Sequence, residues 1–388
     1  MYNFNLHLAT NVFFGKDVIT NLGSEIKKYG SKVLFCYGGG SIKRNGIYSK
    51  VIDELKTARL DYVEHAGISA NPTLDEVRAG ITRAREKRCD FILGVGGGST
   101  IDCAKAISAG LANDADVWDL ITGAEKITAA IPLGSVLTLA ATGSEMDNGA
   151  VITKTETKEK LGFGSPYLLP KFAIMDPCYT FSVPKHQTAA GIADIMSHTF
   201  ENYFTLSDGA FLQNRFAEAV LHTCIHYAPI AYREPENYEA RANLMWANSW
   251  AINGLLDAGK QCAWSVHPME HELSGYYNIT HGVGLAILTP RWLEYVLDDT
   301  RVETIAYYGK NVWGIKDTDT YKVAKEAIQK TYQFFESLEI PMHLKELGID
   351  EHDLEEMANA AIRHRGGSIK GFKTLDASDV LAIYRMSL

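Results

Sequence analysis

No stretch of this 388-residue chain approaches the ~20 consecutive apolar residues that a membrane-spanning helix needs. The opening segment, MYNFNLHLAT, lacks the basic start and apolar core of a secretory signal. Positive charge is in short supply: 38 Lys and Arg stand against 47 Asp and Glu, a formal net charge of −9. That balance argues against a nucleic-acid partner and against attraction to an anionic membrane. The six cysteines (Cys36, Cys89, Cys103, Cys178, Cys224, Cys262) include no Cys-x-x-Cys spacing. A zinc–thiolate site is therefore not expected, and the thiols read as reduced, as in a cytoplasmic protein. There is no Walker loop, no internal repeat and no low-complexity tail, and neither glycine run fits Gly-x-Gly-x-x-Gly. What is present is an ordinary globular composition, 46% hydrophobic and 22% charged, long enough for two domains.

The first half of the chain alternates strand, glycine loop and helix. Lys32–Tyr37 and Phe91–Val95 are short apolar runs, followed by GGGS at 38–41 and again at 96–99. Helices are predicted over 46–58 and from about 99 through Ile107, with Asn71-Pro72-Thr73 opening another. Such alternation implies a mostly parallel, Rossmann-like sheet covered on both faces, with ligands at the strand ends that enter helices. Residues 150–153 and 160–163 read as a hairpin and 172–176 as a last short strand. From 186 onward the pattern is helical throughout. The expected organisation is an α/β dinucleotide-binding domain over 1–182 and an all-helical domain over 183–388. At the extreme N-terminus Tyr2, Phe4, Leu6 and Leu8 alternate with Asn3, Asn5 and His7, which predicts a strand over 2–8. That strand needs a partner, in the chain or on a second copy, so a homodimer is expected.

The helical half holds the candidate metal-binding side chains. In GIADIMSHTF (191–200), Asp194 and His198 stand four apart, on one face of a helix. Alone, such a pair is more often a surface ion pair or a helix cap. HPMEHELSGYYNITHG then adds His267, His271 one turn later, and His281 before Gly282. Asp194, His198, His267 and His281 are the four candidate ligands for a divalent metal. The rival pair His222 and His226, flanking Cys224, has no matching carboxylate and reads as helix packing.

Three loops in the first half suit phosphate: Gly38–Ser41, Gly96–Ser99 and Thr142–Glu145. Ser99 also suits a helix cap, which Asp102 would complete.

Four blocks together, GVGGGSTIDCAKAI (94–107), ATGSEMDNGAVIT (141–153), the Asp194/His198 pair and HPMEHELSGYYNITHGVGLAILTP (267–290), resemble the iron-containing (group III) alcohol dehydrogenases. Within them the chain is similar to the NADPH-dependent aldehyde reductases, often called butanol dehydrogenases. The resemblance implies two domains with the active site in the cleft between them. It implies that Asp194, His198, His267 and His281 bind Fe²⁺, with Zn²⁺ as the alternative, and that His271 lies beside the metal without ligating it. It further implies that Gly97, Gly98, Ser99 and Asp102 form the pyrophosphate loop. Asn71, Thr138, Ser144 and Lys160 match further cofactor contacts, and Gly38, Gly39, Gly40 and Ser41 match the loop facing the adenosine ribose.

The expected reaction is hydride transfer between NADP(H) and an aldehyde or primary alcohol of the butanal type, with the metal polarising the carbonyl and His271 delivering a proton. NADP(H) is expected because residues 38–44, GGGSIKR, carry no carboxylate to repel a 2′-phosphate, and two cations follow. The small aldehyde or alcohol is the partner. Two alternatives remain: a lyase or cyclase on the related dehydroquinate synthase scaffold, and an NAD-linked polyol dehydrogenase. A cyclase needs many polar side chains to hold a polyanion, whereas Phe200, Tyr203, Trp246, Trp250 and Trp264 favour an apolar substrate. HELSG at 271–275 is not the His-Glu-x-x-His of a metallohydrolase.

Overall fold

The computed structural model describes residues 1–207 and 209–388. Its strands are β1 (Asn11–Phe14), β2 (Lys32–Gly38), β3 (Asp61–Ile68), β4 (Phe91–Gly96), β5 (Leu133–Leu137), β6 (Gly149–Lys154), β7 (Glu159–Gly164) and β8 (Phe172–Met175). Six of them make one all-parallel sheet in the order β1-β8-β5-β4-β2-β3, and β6 and β7 form a separate antiparallel hairpin. A sheet covered on both faces needs strands that are apolar on both sides. β4 and β5 meet that demand, since every residue in them is buried. Along β2, Val33, Phe35 and Tyr37 pack with Val51 and Leu55 of the helix Ile47–Thr57. Leu34 and Cys36 face the other way, with Cys103 and Ile107 of the helix Gly98–Ala112. Gly134 leaves room for the ring of Phe172, whose atoms lie 2.4 Å from where a Cβ would stand. That ring stacks on Phe91 at 5.9 Å between centroids. Full burial of each ring contributes about 2–3 kcal/mol.

Past Met175 the described residues contain no strand. Eight helices follow outside the α/β unit: Lys185–Tyr203, Phe211–Arg233, Val266–Tyr277, His281–Val296, Val302–Trp313, Thr320–Ser337, Leu354–His364 and Ala377–Met386. Among the described residues, none is long and apolar enough to cross a membrane.

The sequence reading differs from the structure in two places. Residues 2–8 are not a strand within the chain. The N-terminal strand is β1, which pairs in parallel with β8 through Asn11↔Phe172 to Phe14↔Met175. A strand exists only through its ladder, and the segment before β1 has no backbone ladder inside its own chain. Met1–Phe4 lie instead along Gly259, whose carbonyl accepts the Tyr2 N–H at 2.9 Å, and Tyr2, Phe4 and Leu8 remain exposed.

The second difference concerns chain division. One compact unit contains His7–Val183 together with Pro235–Ser249; the other contains Met1–Leu6, Pro184–Glu234 and Trp250–Leu388. Dividing the chain at 182/183 into consecutive blocks misses the return of 235–249 to the α/β unit. The reason is a buried polar clamp. Glu145, fully buried, accepts hydrogen bonds from Asn248 Nδ2 at 2.8 Å and from the Ser249 hydroxyl. Asn248 Oδ1 in turn accepts the Gly143 N–H at 2.7 Å. Burial pushes the Glu145 carboxyl above its usual range, and the Ser249 and Asn248 bonds oppose that shift. Around the clamp, Met245 packs with Leu137, Ala173 and Met175, Trp246 meets Phe14 edge-on, and Lys16 lies over Tyr238. Asn248→Ala strips a buried carboxylate and a buried N–H of their shared partner. It is expected to cost about 1–3 kcal/mol per unsatisfied group in urea unfolding; wild-type stability would show that the clamp does not hold this segment.

Candidate metal centre and nucleotide loops

Three helices of the all-helical unit converge on one carboxylate oxygen. On the helix Lys185–Tyr203, Asp194 and His198 are one turn apart, with His198 Nε2 3.5 Å from Asp194 Oδ1. His267 is the second residue of the helix Val266–Tyr277, and Pro268 follows in the first turn, where a missing N–H costs nothing. Its Nε2 lies 3.9 Å from the same oxygen. His281 opens the helix His281–Val296, and its Nε2 stands 3.8 Å from it. Close packing makes this convergence possible. A Cβ at residue 282 would lie 1.9 Å from the Ala190 carbonyl oxygen, so Gly282 lets the His281 helix approach the Asp194 helix.

Two further carboxylates hold the rings, and neither was singled out from the sequence. Glu201 accepts the N–H groups of Ser265, Val266 and His267 at 2.8, 2.7 and 3.0 Å, capping one helix from another, and sits 3.1 Å from His267 Nδ1. Glu270 contacts His281 Nδ1. Each carboxylate occupies the inner ring nitrogen and leaves Nε2 to face Asp194. Spacing carries no signal for them: Glu201 stands three residues after His198 but holds His267, and Glu270 three after His267 but holds His281.

The donor set fits a divalent cation. Buried His267 Nε2 has no hydrogen-bond partner among the described residues. Burial, with His267 and His281 alongside, holds the His198 imidazole well below its usual range, which keeps it neutral and able to ligate. Trp264 packs 4.5 Å from the His267 ring and 5.4 Å from the His198 ring. Side-chain exposure is 3–5% at Asp194, His198 and His267 but 23% at His281, so the cluster opens on one side only.

His271 lies outside the group around Asp194, with its ring centroid 5.6 Å from that of His281 and 6.4 Å from that of His267. His222 and His226 stay apart: His222 Nε2 meets the Asn311 carbonyl at 2.8 Å, joining two helices. Of the aromatics expected to favour an apolar substrate, Phe200 and Tyr203 are core residues packed on Tyr308, and Trp246 belongs to the α/β unit. Trp264 lines the cluster.

In the α/β unit, the loops 38–41, 96–99 and 138–145 follow β2, β4 and β5, which are adjacent strands. Gly98 is required because a Cβ there would lie 2.1 Å from Thr142 Oγ1. The Ser99 hydroxyl donates to the Ala70 carbonyl rather than capping its own helix, and draws in the loop that carries Asn71. Asp102 does not complete a cap either. Its two oxygens accept the Ser144 hydroxyl at 2.6 Å and the Val151 N–H at 2.9 Å, tying the helix to the TGSE loop and to β6. Burial lifts its carboxyl to about 6 against the pull of nearby Lys105. The Thr138 N–H bonds the Gly96 carbonyl at 2.9 Å, and Lys160 sits on β7 opposite Thr153. Gly39 and Gly40 face open space, with no atom within 4 Å of an added Cβ, and Gly40 adopts a left-handed φ of +97°. Ser41 begins a short helix. Lys43 turns back onto the rings of Tyr37 and Tyr48, 3.9 Å from Glu64.

Known proteins with this combination are close at hand. A family described as iron-containing alcohol dehydrogenase matches residues 9–177, and the C-terminal part of the Fe-containing alcohol dehydrogenase family matches 188–388. NADH-dependent butanol dehydrogenase A of Clostridium acetobutylicum is 54% identical over 388 residues, covering 100% of both chains. NADPH-dependent aldehyde reductase YqhD of Escherichia coli is 41% identical over 354 residues, 90% of each chain. The crystal structure of E. coli YqhD superposes with a TM-score of 0.96 at 37% identity, covering 100% of this chain and 99% of that one. NADH-dependent butanol dehydrogenase A of Thermotoga maritima superposes with a TM-score of 0.95 at 37% identity and the same coverage. These relatives do not favour the lyase or cyclase alternative. The chain belongs to the iron-containing alcohol dehydrogenase family, as a metal-dependent oxidoreductase acting between aldehydes and alcohols.

Proposed function

We propose that the protein interconverts aldehydes of the butanal type and their primary alcohols, using NADP(H) and one Fe²⁺ ion, with Zn²⁺ as the alternative metal. The observation that carries this reading is the gathering of three imidazole Nε2 atoms around Asp194 Oδ1. An ion held by Asp194, His198, His267 and His281 supplies Lewis acidity to a carbonyl oxygen, and NADP(H) supplies the hydride. The protein's own groups do the rest. Asp194 offsets the charge of the cation. Trp264 keeps water from the buried rings, and the partly exposed edge at His281 admits a small substrate. His271, one turn beyond His267, holds the proton that passes to the developing alcohol oxygen.

His267→Ala is expected to abolish metal binding and turnover while leaving nicotinamide binding largely intact, because the glycine loops belong to the other unit. His271→Ala is expected to keep the metal and lose kcat. Metal analysis of anaerobically purified protein, beside butanal-dependent absorbance at the reduced-nicotinamide band, separates the two. Full activity in metal-free His267→Ala protein rules out the ligand assignment.

The preference for NADP(H) rests on the loop after β2. It has no carboxylate, its backbone is open at Gly39 and Gly40, and Ser41 and Arg44 are available to a phosphate. Lys43 shares its charge with Glu64 and contributes less. A second reading, NAD(H), is carried by the names of the C. acetobutylicum butanol dehydrogenases A and B, 54% and 52% identical, both called NADH-dependent. Comparing kcat/KM for NADPH and NADH decides between them. Gly39→Asp sharpens the test, since a side chain there meets nothing. The aspartate is expected to cost NADPH on the order of 2 kcal/mol and NADH far less. Equal use of both cofactors, or an indifferent variant, shows that the 2′-phosphate is not read at this loop.

The exposed N-terminal segment supports a homodimer in which residues 2–8 find their missing strand partner on a second copy. Light scattering of a variant lacking residues 1–9 should report weaker association than the full chain; a monomeric mass for both excludes the arrangement.

A further inference from the structure

Glu270 presents a cost that its own helix does not explain. It is fully buried, and an isolated buried carboxylate is expensive. It stands beyond the first turn of the helix Val266–Tyr277, so it does not cap the start of its own helix. The surroundings are nevertheless built for it. The Ser274 hydroxyl, one turn on, donates to Oε1, and His281 Nδ1 meets Oε2. Gly284 leaves the space: a Cβ there would lie 2.8 Å from Glu270 Cγ and 3.0 Å from Oε1. His281 is also the one ring of the cluster with substantial exposure, 23% against 5% or less for the others. A ring with one side open is the one that needs an external hold to keep its orientation.

We propose that Glu270 is a positioning residue for the metal centre. It keeps the proton on His281 Nδ1, so that Nε2 is the donor atom, and it fixes the most exposed ring of the cluster. Ser274 and Gly284 serve Glu270 in turn. This inference rests on His281 being a ligand, as proposed above, and the experiment separates the two.

The probe is Co²⁺, titrated anaerobically into metal-free protein against a competing chelator, with visible absorption recorded. Wild type is compared with Glu270→Gln, Glu270→Ala, Ser274→Ala and His281→Ala, and circular dichroism checks folding. Glu270→Ala is expected to bind Co²⁺ ~10–100-fold more weakly, the usual effect of removing a carboxylate behind a ligating histidine. Glu270→Gln, nearly isosteric, should fall between it and wild type, because its amide oxygen still accepts the Nδ1–H. Its Co²⁺ spectrum should shift, which a purely structural role would not cause. Ser274→Ala should weaken binding less than Glu270→Ala. If Glu270→Ala does not fold, Glu270→Gln carries the test. Wild-type affinity and an unchanged spectrum in folded Glu270 variants, beside loss of Co²⁺ in His281→Ala, overturn the positioning role and leave the ligand assignment standing. Wild-type affinity in His281→Ala overturns the ligand assignment itself. Two Co²⁺ per wild-type chain, falling to one in Glu270→Ala, would make Glu270 a direct ligand with His271 and His281, and overturn positioning as well.

Discussion

Three imidazole nitrogens within 3.5–3.9 Å of one carboxylate oxygen set the terms for the helical unit. His198 shares the helix of Asp194, whereas His267 and His281 come from two others, and neither of these reaches Asp194 unless its helix is held close. Gly282 is what allows the helix at 281 to approach that of Asp194. The N-terminus of the helix at 266 is bound by a carboxylate from the Asp194 helix. Packing and chemistry are therefore not separable here. The contacts that position the helices are the contacts that aim the histidines.

The same economy governs the buried acids. Glu145, Glu201 and Glu270 are all buried, and each would cost several kcal/mol without partners. Each instead gathers two or more partners, Glu145 and Glu201 from distant points in the sequence and Glu270 from Ser274 and His281 nearby. Glu145 takes Asn248 and Ser249, and Glu201 takes three backbone N–H groups and the His267 ring. Asp102 behaves alike in the α/β unit, joining Ser144 to Val151. The fold is pinned at these four points by carboxyl groups placed where water is absent, each with two or more partners.

The parts of this arrangement visible in the sequence were those with a period or a glycine. Strands buried on both faces read as apolar runs, so β2, β4 and β8 lay near their expected limits. The four residues that gather in the helical unit were visible because histidine is scarce and Asp194 stands one turn from His198. Glu201 and Glu270 were hidden because an acidic residue on a helix looks the same whether it faces water or an imidazole. Residues 2–8 alternate as a strand does, but alternation reports which side chains share a face and not whether a partner is present. The helix Tyr238–Trp250, which lies in the returning segment, carries ordinary amphipathic spacing. Nothing local says which half of the chain it joins, since that depends on Glu145, about a hundred positions away.

The clamp between Glu145 and Asn248 bears on how the protein can be divided. Because the second half of the chain supplies a helix to the first, no single cut yields two self-contained pieces. A fragment ending at Val183 would expose the surface of Leu137, Ala173 and Met175 and leave Glu145 buried without its donors, and a fragment beginning at Pro184 would carry a helix with nowhere to dock. The two units are thus distinct in structure but bound to a common inheritance: recombination that exchanged one for a relative's would have to bring residues 235–249 along with the sheet, crossing over at 183/184, 234/235 and 249/250 and not at a single point.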